Sequence, residues 1–258
     1  MPQAPFQQHD EHILKMPHKK RRSQLDGQYL YEDRRLLPLL HGAALRGLAL
    51  TVMPVWARLA VDYRIVGMEH LRALDGQGAI LVANHVHFLD APILCACLHP
   101  ARKIRYIMLG ENVDIPVVGG IIKALGGIPI PDNLEGMKAF TRTIYRLLDE
   151  KKLLLFFPEA VLWPHYRGVR KFHKGCFTYA VRRHVPVLPM MYTFEQTAAG
   201  RERLVLTIAP AISSEGKTPQ ALLEETHACF ARHMQAFYGP EQLRLPEKAG
   251  QGEDPPER

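Results

Sequence analysis

The stretch Ile80-Leu81-Val82-Ala83-Asn84-His85-Val86-His87-Phe88-Leu89-Asp90-Ala91-Pro92 constrains this chain more than any other. Ile80 to Ala83 is apolar at every position, with no in-out alternation. That pattern marks the end of a strand buried on both faces, which needs a sheet with a covering layer on each side. Asn84 breaks the run, and Pro92 suits the first turn of a following helix. His85 and Asp90 therefore fall where a core strand ends, a usual place for active-site loops in α/β proteins. An imidazole base needs a partner that fixes its tautomer and steadies its charged form. Asp90 is close enough in sequence to bend back onto His85 within one tight turn. The same two residues also read as a plain loop histidine and a helix N-cap.

The rest of the chain supplies the layers. Strand patterns fall at 62–67, 79–83, 103–109, 153–157, 185–192 and 204–208. Helical patterns fall at 91–98, 113–125, 134–150, 174–183 and 218–238, and 68–74 is a short linker or helical turn. In the helix from 134, Leu134, Met137, Phe140, Ile144, Leu147 and Leu148 share one face, with Asp132 or Asn133 as cap. Thr218 caps the last helix and Pro219 opens it. Strands and helices alternate, so the expected fold is α/β, a single central sheet flanked by helices, over residues 62–245.

The flanks differ from this domain. Residues 1–34 are polar, with prolines at 2, 5 and 17 and the cluster His18-Lys19-Lys20-Arg21-Arg22, and are expected to be a disordered basic tail. Residues 35–61 are apolar but interrupted by Pro38, Arg46, Pro54 and Arg58. A spanning helix needs about 20 mostly apolar residues without central charge, so this segment fits helices lying in the membrane interface, or a hairpin packed on the domain. Residues 246–258 are expected to be a disordered tail. The formal net charge of +7 favours anionic partners: membrane, phosphorylated ligand or nucleic acid. No aromatic or RNA-binding pattern accompanies the charge, so nucleic acid is not expected. Cys95, Cys97, Cys176 and Cys229 show no Cys-x-x-Cys spacing, and no secretory signal is visible, so they read as reduced thiols of a cytosolic protein.

Asn84-His85-x4-Asp90 resembles the first signature of the glycerolipid acyltransferases, typified by 1-acylglycerol-3-phosphate acyltransferase. Three later segments extend the resemblance over residues 60–195. Gly126-Gly127-Ile128-Pro129-Ile130-Pro131-Asp132 occupies the place of the second block, but Asn133 stands where that family carries an arginine assigned to the acceptor's phosphate. An amide recognises phosphate far less well than a guanidinium. Phe157-Pro158-Glu159-Ala160 occupies the third block, Phe-Pro-Glu-Gly in most members. The usual Thr-Arg-Ser is replaced by Leu162-Trp163-Pro164-His165-Tyr166-Arg167-Gly168-Val169-Arg170-Lys171, which is similar to a bacterial variant branch. Val185-Pro186-Val187-Leu188-Pro189 matches the fourth block.

The resemblance implies acyl transfer from coenzyme A or acyl carrier protein to a lysophospholipid, first of all 1-acylglycerol-3-phosphate. It implies His85 as general base oriented by Asp90, with substrate contacts from Gly127, Ile128 and Glu159. No serine or cysteine is placed as a nucleophile beside His85, so direct attack by the acceptor hydroxyl is expected. Arg167, Arg170, Lys171 and Lys174, with His173, are candidates for the phosphate or coenzyme A contacts missing at 133. Glu159 reads either as an acceptor-binding carboxylate or as a helix cap. No cofactor is expected beyond the donor. The enzyme is expected at the cytoplasmic face of the membrane, held peripherally. Rival readings are a hydrolase releasing the acyl group to water and a non-enzymatic basic lipid-binding protein. A metal site on His85, His87 and Asp90 is disfavoured, because two or three such ligands alone make a poor zinc site.

Overall fold

In the computed structural model of the protein, the apolar runs stack side by side as neighbouring strands. The structure describes residues 25–29, 31, 43–44, 47–48, 51–52, 55, 62–74, 76–87, 90, 94, 98, 104–115 and 118–243. The strands are β1 (Tyr63–Val66), β2 (Ala79–Ala83), β3 (Ile104–Leu109), β4 (Gly127–Ile130), β5 (Leu153–Phe156), β6 (Val187–Gln196) and β7 (Glu202–Ile208). The helices are α1 (Met68–Arg72), α2 (Val118–Ala124), α3 (Leu134–Asp149), α4 (Gly175–Arg183) and α5 (Pro219–Gln242), with a 3₁₀ turn at Gly110–Asp114.

The strands form one sheet in the order β1-β7-β6-β2-β5-β3-β4. β2 is central and parallel to both neighbours, with Leu81 opposite Leu155 on β5 and Leu188 on β6. β6 and β7 are antiparallel, from Met190 opposite Ile208 to Gln196 opposite Glu202, and β1 returns parallel to β7. The expected α/β sheet flanked by helices is present, and it is mixed. All five residues of β2 are buried, as a central parallel strand requires. On one face Leu81, Ala83, Leu155, Leu188 and Tyr192 pack with Leu71, Leu74, Leu94 and Leu98. On the other, Ile80, Val82, Leu154 and Met191 pack against Phe140 and Ile144 of α3, Phe177 of α4 and Phe230 of α5.

The structure adds two features to the sequence reading and corrects one. The 126–132 segment contains an edge strand, β4, paired in register with β3 from Tyr106–Gly127 to Leu109–Ile130. Leu134 is not part of the buried face of α3: at the helix's first position it is 72% exposed. Part of the N-terminal segment packs on the domain. Leu25 is buried at 2% exposure, and Tyr31 packs edge-on against Phe140. Asn133 makes this docking possible: its Oδ1 caps α3 by accepting from Gly136 N–H at 2.7 Å, and its Nδ2 donates to the Leu25 carbonyl at 2.9 Å. Gly136 is needed for the same contact, since a Cβ there would lie 2.1 Å from the Leu25 carbonyl oxygen.

Ala43, Ala44, Gly47, Leu48, Thr51, Val52 and Val55 are helical and exposed. The remainder of the interfacial segment, the basic cluster at 18–22, Cys95, Cys97 and the C-terminal tail lie outside the described residues. No helix among the described residues is long and apolar enough to cross a membrane.

Candidate active site

β2 delivers Asn84 and His85 at its carboxyl end. The Asn84 amide acts as one more peptide group between β2 and β6. Its Nδ2 donates to the Tyr192 carbonyl at 3.0 Å, and its Oδ1 accepts from Tyr192 N–H at 2.8 Å. A buried amide with both ends satisfied fixes where the strand stops, and therefore where His85 leaves it.

The turn then folds back on itself. Asp90 Oδ2 accepts from His85 Nδ1 at 3.1 Å, from Val86 N–H at 2.8 Å and from His87 N–H at 2.9 Å. The Tyr192 hydroxyl donates to the Asp90 carbonyl at 2.9 Å, tying the turn to β6. An oxygen that already accepts two main-chain N–H groups presents only lone pairs to the ring, so Nδ1 carries the proton and Nε2 is left as the acceptor. Burial holds the Asp90 carboxyl above the usual carboxylate range, opposed by the bonds from His85, His87 and Val86. Asp90 Oδ1 is buried with no hydrogen-bond partner among the described residues. The Asp90 side chain is 0% exposed and that of His85 is 23% exposed, so the imidazole is anchored from inside and reachable from outside.

A long connection from β5 to α4, residues 157–174, straps this turn. Phe157 stacks on the His85 ring with centroids 4.3 Å apart and planes 27° from parallel. The Trp163 N–H donates to the His85 carbonyl at 3.0 Å, and the His165 N–H to the Val86 carbonyl at 2.9 Å. The His85 N–H donates to Glu159 Oε2 at 3.1 Å. Glu159 in turn accepts from Arg170 N–H at 3.0 Å on Oε1 and from Arg170 Nη2 at 2.8 Å on Oε2. Arg170 Nη2 also donates to the Val161 carbonyl, and its guanidinium lies over the Trp163 ring, 4.8 Å from the centroid.

The residues singled out from sequence therefore separate. His85 and Asp90 are brought together. Glu159 and Arg170 are also joined, but inward: their side chains are 0% and 7% exposed, so neither is the surface group expected for a lipid or phosphate contact. Glu159 is not a helix cap either. Ile128 is 1% exposed within the core, and a Cβ on Gly127 would lie 2.7 Å from both Ile122 Cγ2 and Met108 Sδ. Sheet packing accounts for the residue types at both positions. Arg167 pairs with Glu202 at 3.4 Å and lies over the Tyr238 ring at 5.6 Å. Lys171 and Lys174 are exposed and line an open groove of about 680 Å³ between the strap and α5, together with His173, His227 and an apolar floor that includes Phe172 and Leu223. His87 is half-buried and meets His165 edge-on, and burial lowers its pKa. No group of three or more His, Cys, Asp or Glu among the described residues could hold a metal ion.

Sequence reasoning missed the bracing roles of Phe157, Trp163 and Asn84. Only Asn84 carried a signal, as the first polar residue after the buried strand. The partners of Phe157 and Trp163 are 72 and 78 positions away from them, and no pattern in the sequence joins such pairs.

The family model described as Acyltransferase matches residues 62–193, which is half of the chain and includes the whole His85 turn and the strap. The chain is 27% identical over 171 residues to 1-acyl-sn-glycerol-3-phosphate acyltransferase BAT2, chloroplastic, of Brassica napus. That alignment covers 64% of this chain and 46% of the relative, so the chain spans about half the length of the curated relative it matches. Its fold is similar to the crystal structure of the 1-acyl-sn-glycerophosphate (LPA) acyltransferase PlsC from Thermotoga maritima, with a TM-score of 0.58, 20% identity, and coverage of 80% of this chain and 83% of that one. With the family model spanning half its length and covering the His85 turn and the strap, this chain belongs to the acyltransferase family.

Proposed function

We propose that this chain transfers a fatty acyl group from a thioester donor, acyl-coenzyme A or acyl carrier protein, to the free hydroxyl of a lysophospholipid, with 1-acylglycerol-3-phosphate as the first acceptor to test. The observation that carries the reading is the His85–Asp90 pair: a buried carboxylate 3.1 Å from Nδ1 of a partly exposed ring. With Nδ1 protonated, Nε2 takes the acceptor hydroxyl's proton as the oxygen attacks the thioester carbonyl. The tetrahedral intermediate then collapses, the C–S bond breaks, and the imidazolium returns the proton to the departing thiolate. Asp90 stabilises the imidazolium present between the two proton transfers.

The lipid surface enters through the N-terminal segment. Leu48, Val52 and Val55 are 61%, 54% and 61% exposed at positions i, i+4 and i+7 of a helical stretch, an apolar stripe suited to the interface of a bilayer. Lys171 and Lys174 beside the groove supply charge for the phosphates of donor or acceptor. A product screen with purified enzyme, several lysophospholipids and both donor types tests the reading. Phosphatidic acid from 1-acylglycerol-3-phosphate is expected, abolished in a folded His85→Ala variant. Release of free fatty acid alone, independent of acceptor, would establish a hydrolase instead.

A further inference from the structure

We infer that Glu159 and Arg170 form a positioning pair for His85, set inside the protein and out of contact with either substrate; this rests on the acyl-transfer reading above. The backbone of His85 is gripped at both ends by the strap. Its N–H is held by Glu159 at 3.1 Å and its carbonyl by Trp163 N–H at 3.0 Å. The ring is held independently, by Asp90 at Nδ1 and by Phe157 on its face. Of these four holds, the one on the N–H depends on a charge pair.

Stability alone does not account for such a pair. A buried ion pair is commonly matched or bettered by apolar residues of similar volume. An apolar residue at 159 cannot accept the His85 N–H, however. A carboxylate can accept it, together with two donors from Arg170, and its buried charge then needs the guanidinium. Both Glu159 oxygens are occupied by protein donors: Oε1 by Arg170 N–H, Oε2 by His85 N–H and Arg170 Nη2. The local backbone is bent to achieve this. Ala160, the next residue, lies in the left-handed region at φ 64°, and Val161 N–H closes a tight turn onto the Glu159 carbonyl at 2.8 Å. Arg170 is braced in turn by Trp163, the residue that holds the other end of His85. The two grips on the His85 backbone are therefore one connected unit.

Misplacement of a catalytic group by about 1 Å costs about 100-fold in rate. Glu159→Ala is accordingly expected to lower kcat by about 100-fold, while KM for acceptor and donor stays within about twofold. Arg170→Lys, which keeps a cation and a donor, is expected to retain most of the activity that Arg170→Met loses. Circular dichroism checks each variant's fold. Should Glu159→Ala or Arg170→Met fail to fold, the near-isosteric Glu159→Gln, which removes the charge, decides by the same split. A raised acceptor KM with kcat preserved would make Glu159 a substrate contact and overturn the inference, as would full activity in folded Glu159→Ala, Glu159→Gln or Arg170→Met. Backbone and imidazole ¹⁵N spectra read the geometry without turnover: the His85 amide resonance is expected to shift in Glu159→Ala, while the Nδ1–H tautomer, set by Asp90, is kept. An unchanged His85 amide resonance alongside a lowered kcat would also overturn the inference. If the wild type fails to transfer acyl groups, the functional reading falls, and these spectra still decide whether the pair positions His85.

Discussion

Asp90→Asn separates the two tasks assigned to this carboxylate. The two main-chain N–H groups of Val86 and His87 converge on Oδ2, so an asparagine is steered to place its carbonyl there and its amide at the unpartnered Oδ1 position. The Nδ1–H bond and the tautomer survive, and only the charge is lost. At 3.1 Å between Nδ1 and Oδ2, and an effective dielectric of about 20, the Coulomb attraction between unit charges is about 5 kcal/mol. Spread of the imidazolium charge over the ring reduces this to about 3 kcal/mol, or about 100-fold in kcat. Asp90→Ala, which also frees the tautomer, should lose more, towards the 10⁴-fold limit of about 5 kcal/mol for general base catalysis. Stability moves the other way. Burial raises the Asp90 pKa in the folded state, so its contribution to stability is fully present below the unfolded value of about 3.9 and is lost as pH rises through the folded value. The asparagine has no such loss, so the difference in melting temperature should move in the variant's favour from about pH 4 to neutrality, against the constant cost of its buried amide N–H groups. Single-turnover transfer from acyl-coenzyme A and thermal circular dichroism at two pH values measure both halves. A kcat within tenfold of wild type, or a melting-temperature difference that stays constant from about pH 4 to neutrality, would refute the account.

Ala160→Gly should raise stability by about 0.5–1 kcal/mol, because an L-residue at φ 64° carries a left-handed cost that glycine does not; thermal melting measures it, and kcat should hold. Gly136→Ala should cost about 1–3 kcal/mol by overpacking against the Leu25 carbonyl and Pro131 Cβ, 2.1 and 2.6 Å from the new methyl, and should expose the 25–31 segment to limited proteolysis. Burial pushes the Cys176 thiol up to about 12, so peptide mapping after alkylation at pH 8 should find it unmodified in native protein and modified once unfolded.

What was legible in the sequence is what adjacent residues determine. The strand at 79–83, the amphipathic α3 and the Thr218–Pro219 start of α5 follow from local periodicity and caps, and the observed boundaries differ by a residue or so. The His85–Asp90 turn is legible because its closure spans only five positions. β4 was not: four residues containing a glycine and a proline carry little strand signal, and only pairing with β3 makes Gly127–Ile130 extended. The docking of Leu25 onto α3 was invisible for the same reason, since its bond to Asn133 spans 108 positions.

The same distinction explains why charges in the third block misled. A cluster of Arg167, Arg170 and Lys171 reads as a basic surface if each side chain is assumed to face water, the default for such residues. The fold divides them by partner. Glu159, eleven positions earlier, draws Arg170 inside, and Glu202, thirty-five positions later, draws Arg167 against Tyr238. Lys171 and Lys174 stay exposed at the groove between the strap and α5. A basic residue in this family's third block thus has two possible duties, bracing the catalytic turn or meeting an anion. The sign of its charge does not tell them apart; the position of the nearest carboxylate does. Here the carboxylate that would face a substrate in a simpler reading is the one that holds the histidine's own backbone, so under the proposed activity the exposed Lys171 and Lys174 are the first groups to test against the acceptor's phosphate.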